Sequence, residues 1–209
     1  MGRKLDSTCS QCRRTGVKLF LKGDLCLSSK CTLVKRNYPP GVHGVKGRSK
    51  LTSYGEQLQE KQKAKRIYGI LEKQFSKYYR EASRRGGENG ENLMQILEMR
   101  LDNVVYRLGF AASRPQARQM VSHGFFTIKD KKVNIPSYQV RIGEVIALSA
   151  KAKKSKLFQT IQERLTKALV PSWLGLEPSK LSAKVLDKPK AAEMENSFSV
   201  KSIIEFYSR

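Results

Sequence analysis

The sequence of 209 residues lacks cysteine after position 31 and contains only one tryptophan and two histidines. No window approaches eighteen consecutive apolar residues, which excludes a membrane-spanning helix of ordinary length. We find no lipidation motif and no basic amphipathic helix with a Trp or Phe face, so we expect no membrane partner. The sequence also lacks a constellation of acid, base and nucleophile and a phosphate-cradling glycine motif. We therefore expect neither enzymatic activity nor a small-molecule substrate.

Acidic residues are few relative to basic ones. The sequence contains 41 lysines and arginines against 18 aspartates and glutamates, which gives a formal net charge of +23 at pH 7. The positive electrostatic field of such a charge attracts a polyanion. Because membrane-binding features are lacking, nucleic acid is the favoured partner class. The basic residues are interleaved with Leu, Ile, Val, Phe and Tyr rather than gathered in one tail. We therefore expect several folded surfaces to contact the partner.

The four cysteines form two short-spaced pairs, Cys9-x₂-Cys12 and Cys26-x₄-Cys31, separated by a loop. This spacing is typical of a zinc knuckle, in which each pair of thiolates supplies one edge of a tetrahedral Zn²⁺ site. Four sulfur ligands leave no open position for water or for His43, so the sequence predicts a structural Zn²⁺ ion. Two disulfides and free thiols are the alternatives, although no apolar secretory signal precedes the cysteines.

The chain divides into four segments by composition. Residues 1–48 contain the zinc knuckle and a loop rich in proline and glycine, and residues 49–90 form a helical domain. Residues 91–150 form a small α+β module, and residues 151–209 form a helix and an extension that packs on the earlier domains. The predicted fold class is therefore α+β, with a mostly helical first domain, an N-terminal zinc knuckle and a small α+β module inserted before a returning C-terminal segment.

Helices are predicted where apolar residues recur every three or four positions between capping residues. Ser53 and Ser113 are the expected N-caps of two of these helices. The most regular pattern, from residue 92 to 109, predicts one uninterrupted helix. The predicted helices span residues 53–69, 72–84, 92–109, 113–124 and 158–169.

After residue 124 the spacing of apolar residues changes to every second position, which is the pattern of half-buried strands. Three short strands are predicted, at Phe126–Ile128, Val133–Ile135 and Glu144–Leu148. The first two are joined by a hairpin around Lys129–Lys131. Together with the two preceding helices, these strands make the module of residues 91–150 an α+β unit.

Motifs along nearly the whole chain resemble one known family. They are the two cysteine pairs, Tyr38-Pro-Pro-Gly-Val-His-Gly44, Glu60-Lys-Gln-Lys63, Arg66-Ile-Tyr-Gly69, Arg100-Leu-Asp-Asn-Val-Val-Tyr-Arg-Leu-Gly-Phe110, Ser113-Arg-Pro-Gln-Ala-Arg-Gln119, Val133-Asn-Ile-Pro-Ser-Tyr138 and Phe206-Tyr-Ser-Arg209. This ordered set is similar to the S4 family of bacterial small-subunit ribosomal proteins. The family usually has Asn-Gly at the hairpin where this chain has Lys129-Asp130, which weakens the case for a type I′ turn.

The resemblance implies a cytoplasmic constituent of the small ribosomal subunit. Its implied RNA target is the five-way junction in the 5′ domain of small-subunit ribosomal RNA (rRNA), bound early in assembly. Further implied partners are messenger RNA (mRNA) in the channel through which it enters the ribosome, and neighbouring ribosomal proteins, with a contribution to translational accuracy. Zinc is present in only some members of the family. The module of residues 91–150 resembles an RNA-binding module that is also appended to pseudouridine synthases and tyrosyl-tRNA synthetases.

Candidate RNA contacts are basic and polar residues that can neutralise or hydrogen-bond phosphates, since side chains cannot read the deep major groove of structured RNA. Arg114 and Arg118 lie one turn apart on the helix that begins at Ser113, so one helix face can present two guanidinium groups. The zinc knuckle would fix the backbone of the basic residues between its cysteine pairs, which would reduce the entropy cost of their binding to phosphates. The candidates are Arg13, Arg14, Lys18, Lys22, Arg36, Tyr38, His43, Arg48, Lys61, Lys63, Lys65, Arg66, Ser113, Arg114, Arg118, Gln119, Ser122, His123, Lys131 and Lys132.

Two other functions compete with this interpretation. An RNA-modifying enzyme could use the same appended module, but it would need a second domain with a catalytic constellation, which the sequence does not contain. A zinc-dependent DNA-binding regulator should place a recognition helix after the metal site. A loop rich in proline and glycine follows instead.

Overall fold

The structure of the protein is a computed structural model that describes residues 7–47, 50–155, 158–166 and 168–208. The chain forms two compact units. The first consists of Met1–Phe75 with Asn196–Arg209, and the second consists of Ser76–Glu195. Helices and a small antiparallel sheet are both present, so the predicted α+β class is confirmed.

Capping residues determine where several helices begin and end. The described helices are α1 (Thr8–Thr15), α2 (Asp24–Leu27), α3 (Thr32–Lys35), α4 (Ser53–Tyr68), α5 (Glu72–Arg84), α6 (Asn89–Glu98), α7 (Leu101–Arg107), α8 (Arg114–Ser122), α9 (Ala150–Lys153), α10 (Phe158–Leu165) and α11 (Val200–Tyr207). Thr52 caps α4, because its hydroxyl accepts a hydrogen bond from the Gly55 N–H (3.2 Å), so the prediction of Ser53 as the cap is wrong by one residue. Ser113 caps α8 as predicted.

In the first unit, α11 packs against α4. Ile67 from α4 and Ile203 from α11 are buried in the core of this unit. The ring of Tyr68 meets that of Phe198 edge to face, with centroids 6.4 Å apart. Residues 196–208 therefore complete a unit whose other helices come from the first 75 residues.

A five-stranded antiparallel sheet lies in the second unit, in the strand order β2-β1-β3-β5-β4. Its strands are β1 (Phe126–Ile128), β2 (Lys131–Val133), β3 (Val145–Leu148), β4 (Leu174–Glu177) and β5 (Ser182–Val185). The register pairs Phe126 with Val133 across the hairpin and Ile128 with Ile146 on the other side. The alternating apolar residues of β1 and β3 face the core of the unit with the helices α7 and α8.

The hairpin between β1 and β2 turns on two residues only. Lys129 (φ 50°) and Asp130 (φ 61°) are both in the left-handed region, as a two-residue type I′ turn requires. The hairpin thus forms without the Asn-Gly pair that favours this turn. Because the turn uses only these two positions, β2 begins at Lys131, and the predicted strand at Val133–Ile135 is displaced by two residues.

Two strands of the sheet were not predicted from the sequence. β4 and β5 form a second antiparallel pair, and β5 adds to the sheet beside β3. The single tryptophan, Trp173, precedes β4 and is only 2% exposed in the core of this unit. The sheet therefore extends beyond the three strands that the alternating pattern indicated.

The helix predicted from residue 92 to 109 is two helices. Between α6 and α7, Arg100 has an extended backbone (ψ 137°) and forms a β-bridge with Gln139. The Leu101 N–H donates a hydrogen bond to the carbonyl of Tyr138 (2.8 Å) rather than to the preceding helical turn. The apolar spacing continues across this break because both helices bury the same side in the core, and it therefore conceals the interruption.

Candidate RNA interface

The cysteine pairs occupy the start of the first unit. Cys9 and Cys12 lie on α1, Cys26 lies on α2, and Cys31 immediately precedes α3. The last three are buried, Cys9 is half-buried, and all four are free thiols, so the disulfide alternative is not realised in the structure. Among the described residues, no group of three or more His, Cys, Asp or Glu side chains has the arrangement of a metal site.

The chemistry of the four thiols nevertheless fits a soft divalent cation. Burial raises the pKa of Cys12, a hydrogen bond from the Leu19 backbone lowers it, and the neighbouring thiols of Cys26, Cys9 and Cys31 raise it further. The Lys22 N–H also donates a hydrogen bond to Cys26 Sγ (3.4 Å). A Cys12 thiol whose pKa is raised by burial and by three neighbouring sulfurs would need a cation beside it to ionise. The donor set therefore matches the predicted zinc ligands, although the geometry of a metal site is not formed.

The loop rich in proline and glycine is held by Arg13. The Nε and Nη2 atoms of Arg13 donate hydrogen bonds to the carbonyls of Tyr38 (2.9 Å) and Pro39 (3.2 Å), and its guanidinium lies 4.6 Å from the centre of the Tyr38 ring. Gly44 lies so close to the same loop that a Cβ at this position would be 1.9 Å from the Pro39 carbonyl oxygen, so only glycine fits there. Arg13 and Tyr38 thus contact each other, and the Arg13 guanidinium is engaged within the protein.

The predicted basic face of α4 is largely neutralised inside the first unit. Lys61 is buried, with its Nζ 3.0 Å from Glu72 Oε1 and 4.0 Å from the centre of the Phe206 ring. Lys65 Nζ lies 2.6 Å from Glu72 Oε2, and Lys63 pairs with Glu60 at 2.5 Å. The contacts hold α4 to the start of α5 and to α11. Lys61 and Lys65 therefore have a structural partner on another helix, which sequence spacing did not indicate, whereas Glu60 and Lys63 form an ordinary i,i+3 pair within α4.

Glu72 is the centre of this cluster. Burial alone would raise its pKa, but hydrogen bonds from Lys65, Tyr207 and Lys61 lower the pKa to about 2. The hydroxyl of Tyr207 donates to Glu72 Oε1 (2.6 Å). Burial raises the pKa of Tyr207, and this hydrogen bond raises it further. At neutral pH, Glu72 is therefore a carboxylate that three donors share.

Arg114 and Arg118, the predicted guanidinium pair on α8, are also engaged. Arg114 is buried, and its Nε and Nη2 atoms donate to Asn103 Oδ1 (2.8 Å) and Glu195 Oε2 (2.9 Å). Arg118 Nη1 lies 3.1 Å from Asp102 Oδ2. This face of α8 is consequently tied to α7 and to Glu195 rather than presented freely to solvent. RNA contact by these two residues stays a prediction. Both guanidinium groups already have partners within the protein, which their helical spacing did not indicate.

A buried polar network that sequence reasoning missed lies behind this face. Arg100 donates to both carboxylate oxygens of Asp102 (3.0 and 2.7 Å) and to the Tyr78 hydroxyl (2.7 Å). Burial would lower the pKa of Arg100, but Asp102 and Tyr78 more than offset this and raise it. Glu98 in turn accepts hydrogen bonds from Asn103 and Arg107. Arg100, Asp102, Asn103 and Arg107 lie within one family motif, whereas Tyr78 and Glu98 lie outside the quoted motifs.

The end of α8 brings several predicted RNA contacts together. Ser122 and His123 are exposed there, and His123 packs edge to face on Phe125 with centroids 6.2 Å apart. The Lys132 side chain from β2 crosses Gly124, where a Cβ would lie 2.1 Å from Lys132 Cε. The Lys132 ammonium group and the His123 ring thus lie near the C-terminal end of α8, where the Ser122 hydroxyl donates a hydrogen bond to the carbonyl of Arg118 (2.9 Å). This small cluster is open to a phosphate-bearing partner.

The remaining predicted contacts differ in exposure. The exposed ones are Arg14, Lys22, Arg36, His43, Gln119 and Lys131. Lys18 and Arg66 are half-buried, and Ser113 is buried as the cap of α8. Arg48 lies outside the described residues.

In the part of the chain that the structure describes, no helix has the length and apolar character needed to cross a membrane.

Comparison with known proteins identifies what the chain is similar to. It matches the family profile of the ribosomal protein S4/S9 N-terminal domain over residues 3–98 and that of the S4 domain over residues 99–146. Small ribosomal subunit proteins uS4 of Syntrophomonas wolfei and of Heliobacterium modesticaldum are each 50% identical to it over 209 residues, which is 100% of both chains. The protein uS4A of Alkaliphilus metalliredigens is 49% identical over the same length.

Proposed function

Since this chain belongs to the S4 family of small ribosomal subunit proteins, we propose that it is a cytoplasmic structural constituent of the small ribosomal subunit that binds rRNA directly. The family is structural and non-enzymatic, which confirms the expectation that the chain is not an enzyme. The observation that carries the proposal is the match to full-length relatives across both compact units. The net charge of +23 supplies the attraction to RNA phosphates.

The proposed RNA target is the five-way junction in the 5′ domain of small-subunit rRNA. The family resemblance supports this target, and so does the distribution of basic residues over folded surfaces rather than over one tail. Double-stranded RNA is recognised mainly by shape and by phosphate contacts, because its deep major groove excludes side chains. Basic residues carried by the folded surfaces of two units suit a junction that offers the phosphate backbones of several helices. Early binding at this junction would make the protein a nucleus for subunit assembly.

Further roles follow from the same resemblance. We propose that the protein lines the channel through which mRNA enters the small subunit, contacts neighbouring ribosomal proteins and contributes to translational accuracy. The support is the family match over the whole chain. The net positive charge also fits a wall along which an mRNA backbone passes.

We further propose that the four cysteines hold a structural Zn²⁺ ion. The support is the donor set: four free thiols, of which Cys12 lies in the electrostatic field of the other three, and backbone hydrogen bonds to the sulfurs of Cys12 and Cys26. When bound, the ion would supply a closed tetrahedral crosslink and no reactive position. Cys9 and Cys12 would contribute from α1, while Cys26 and Cys31 would contribute from the segment that follows. The ion would fix the backbone of α1 and with it the orientation of Arg13 and its loop.

Competitive binding tests the proposed function. The full chain is titrated with a 5′-domain fragment of small-subunit rRNA in the presence of excess transfer RNA or plain duplex RNA, at several salt concentrations. We expect selective binding of the fragment to persist at physiological salt, because shape recognition adds to the salt-sensitive phosphate attraction. Equal competition by all three RNAs would contradict a ribosomal assembly role and would reduce the charge to a generic attraction.

A further inference from the structure

The start of α6 contains the one asparagine of the sequence that is followed by glycine, Asn89-Gly90. In such a pair the backbone nitrogen of the glycine can attack the carbonyl carbon of the asparagine side chain and close a five-membered ring. A side chain on the following residue hinders this attack, and glycine has none. The other asparagines are followed by Tyr38, Leu93, Val104, Ile135 and Ser197. The sequence therefore makes Asn89 the asparagine most open to this reaction.

The two reacting groups lie at an uncapped helix start. Within the described residues no side chain caps α6, and its first hydrogen bond runs from the Asn92 N–H to the Glu88 carbonyl (3.0 Å). The N–H groups before Asn92 lie in the first turn, where a helix offers them no acceptor. The same part of the chain provides no hydrogen bond to the Asn89 side chain or to the Gly90 N–H. Asn89 is half-buried, so solvent water reaches it.

Two other asparagines of the second unit are held in place. Asn92 Nδ2 donates a hydrogen bond to the carbonyl of Gly86 (3.1 Å). Asn103 is buried, and its side chain donates to the Glu98 carbonyl (2.9 Å) and accepts from Arg114 Nε (2.8 Å). Such bonds keep a side-chain amide away from the next backbone nitrogen. Asn89 thus combines a reactive neighbour with a side chain that is not held.

The helical backbone opposes the reaction until the first turn of α6 opens. A ψ angle near the helical value of about −42° turns the Gly90 nitrogen away from the Asn89 side chain. The reacting atoms therefore meet only when Asn89 leaves the helical conformation. Two features favour this opening. An uncapped helix end frays, and the exposed Gly86 and Gly87 before it adopt many backbone conformations.

We propose that Asn89 is a site of spontaneous deamidation in the folded protein. The Gly90 nitrogen loses its proton to water or hydroxide and attacks Asn89 Cγ. A new C–N bond forms, and the Cγ–Nδ2 bond breaks with release of ammonia. Solvent water then adds to one of the two carbonyl carbons of the ring and opens it to aspartate or isoaspartate, with no change of oxidation state. The inference is independent of RNA binding and concerns the second unit alone.

The two products affect α6 differently. Both place a carboxylate in the first turn, where the helix dipole favours negative charge. Aspartate leaves the backbone unchanged, so the helix start is retained. Isoaspartate directs the backbone through the side-chain carbon and lengthens it by one methylene group, which is incompatible with helical spacing at Asn89. Loss of the first turn then uncovers Leu93, which is only 1% exposed in the intact protein.

Ageing of the full-length protein tests the site. The native chain is incubated at mildly alkaline pH and digested at intervals, and mass spectrometry locates each deamidated asparagine. A methyltransferase specific for isoaspartyl carboxylates labels the isoaspartate product. We expect Asn89 to react first, ahead of Asn196, which is exposed and followed by serine. Earlier reaction at Asn196, or an Asn89 that stays intact in the native protein while it reacts in urea, would overturn the proposal.

The variant Glu88→Ser isolates the role of the helix start. A serine at this N-cap position can accept hydrogen bonds from the N–H groups of the first turn, which reduces fraying. We expect native Glu88→Ser to deamidate at Asn89 about five-fold more slowly than the parent protein. In urea the two proteins should react at equal rates, because neither has a helix to cap. Equal rates in the native proteins would show that opening of α6 does not control the reaction, which would overturn the mechanism.

The variant Asn89→Gln is the matched control for the structural consequence. Its amide would have to close a six-membered ring, which is a much slower reaction. Fluorescence of Trp173, in the core of the second unit, follows thermal unfolding before and after ageing. We expect ageing to lower the unfolding midpoint of the parent protein and to leave that of Asn89→Gln unchanged. An equal decrease in both proteins would overturn the effect assigned to isoaspartate at this position.

Discussion

Replacing Glu72 with glutamine should destabilise the first unit in a pH-dependent way. The substitution keeps the shape of the side chain but removes the charge that faces Lys61, Lys65 and the Tyr207 hydroxyl. The Lys61 side chain is only 7% exposed, so it would retain a buried charge with only neutral groups, among them the Phe206 and Tyr207 rings, to offset it. The loss should therefore be larger than for an ordinary surface ion pair.

The magnitude follows from the depressed pKa of Glu72. A pKa that falls from an ordinary value of 4.5 to about 2 corresponds to roughly 3 kcal/mol, at about 1.4 kcal/mol per pH unit. The Glu72 side chain is 46% exposed, so solvent screening reduces this to about 1–2 kcal/mol. Because the folded pKa is the lower one, the stabilisation is complete above pH 4.5 and is lost as pH falls towards 2. A little over half of it should be gone by about pH 3.

Native-state hydrogen exchange of the α4 amides measures this local stability, once rates are corrected for intrinsic exchange at each pH. The matched control is Glu81→Gln on α5, the helix that also carries Glu72. It removes an exposed ion pair between Glu81 and Arg85, whose charged atoms lie 2.6 Å apart. Glu81 is 45% exposed, nearly the same as Glu72, but its partner is exposed too, so we expect a loss of about 0.5 kcal/mol or less. Equal losses for both variants, or a Glu72→Gln deficit that stays constant between pH 7 and 3, would refute the reasoning.

Three further substitutions test other features. Gly44→Ala should cost about 1–3 kcal/mol in thermal unfolding, because its Cβ would lie 1.9 Å from a backbone oxygen, whereas Gly86→Ala, with open space around it, should be nearly neutral. Asp102→Asn should lower the free energy of unfolding by about 3–5 kcal/mol, because it leaves the Arg100 charge buried without its carboxylate partner. Urea unfolding followed by tryptophan fluorescence measures this, and a decrease below about 1 kcal/mol would contradict the reasoning. Cys12→Ser should abolish zinc binding in atomic absorption while the tryptophan signal stays native, and loss of that signal would contradict independent folding of the second unit.

Elements defined by local signals were predictable from the sequence. The helix from Ser113 to Gly124 follows from a serine cap and a terminating glycine, and the structure contains α8 between these residues. The hairpin after Phe126 was placed correctly, although its turn lacks the expected residues. The break at Arg100 could not be predicted, because it depends on pairing with Gln139 far along the chain. Apolar periodicity reports which side of a segment is buried, and that side is the same before and after the break.

The sequence indicated the basic residues of the candidate interface but not their partners within the fold, and the reason is physical. Charge and helical spacing show where a base lies but not whether a carboxylate from another segment reaches it. Glu72 reaches Lys61 and Lys65 from α5, and Glu195 reaches Arg114 across more than eighty positions of sequence. A basic motif thus predicted attraction to RNA but not which of its members are available for it.

The return of residues 196–208 to the first unit has a consequence for the order of folding during synthesis. Residues 76–195 form the second unit as one continuous stretch, so it can fold as soon as that stretch has left the ribosome. The first unit emerges earlier but stays incomplete until α11 has been synthesised and packs on α4. Until then the apolar side of α4 that includes Ile67 lacks its cover, and the buried charge of Lys61 lacks the Phe206 ring. The part of the protein that is made first is therefore the part that matures last.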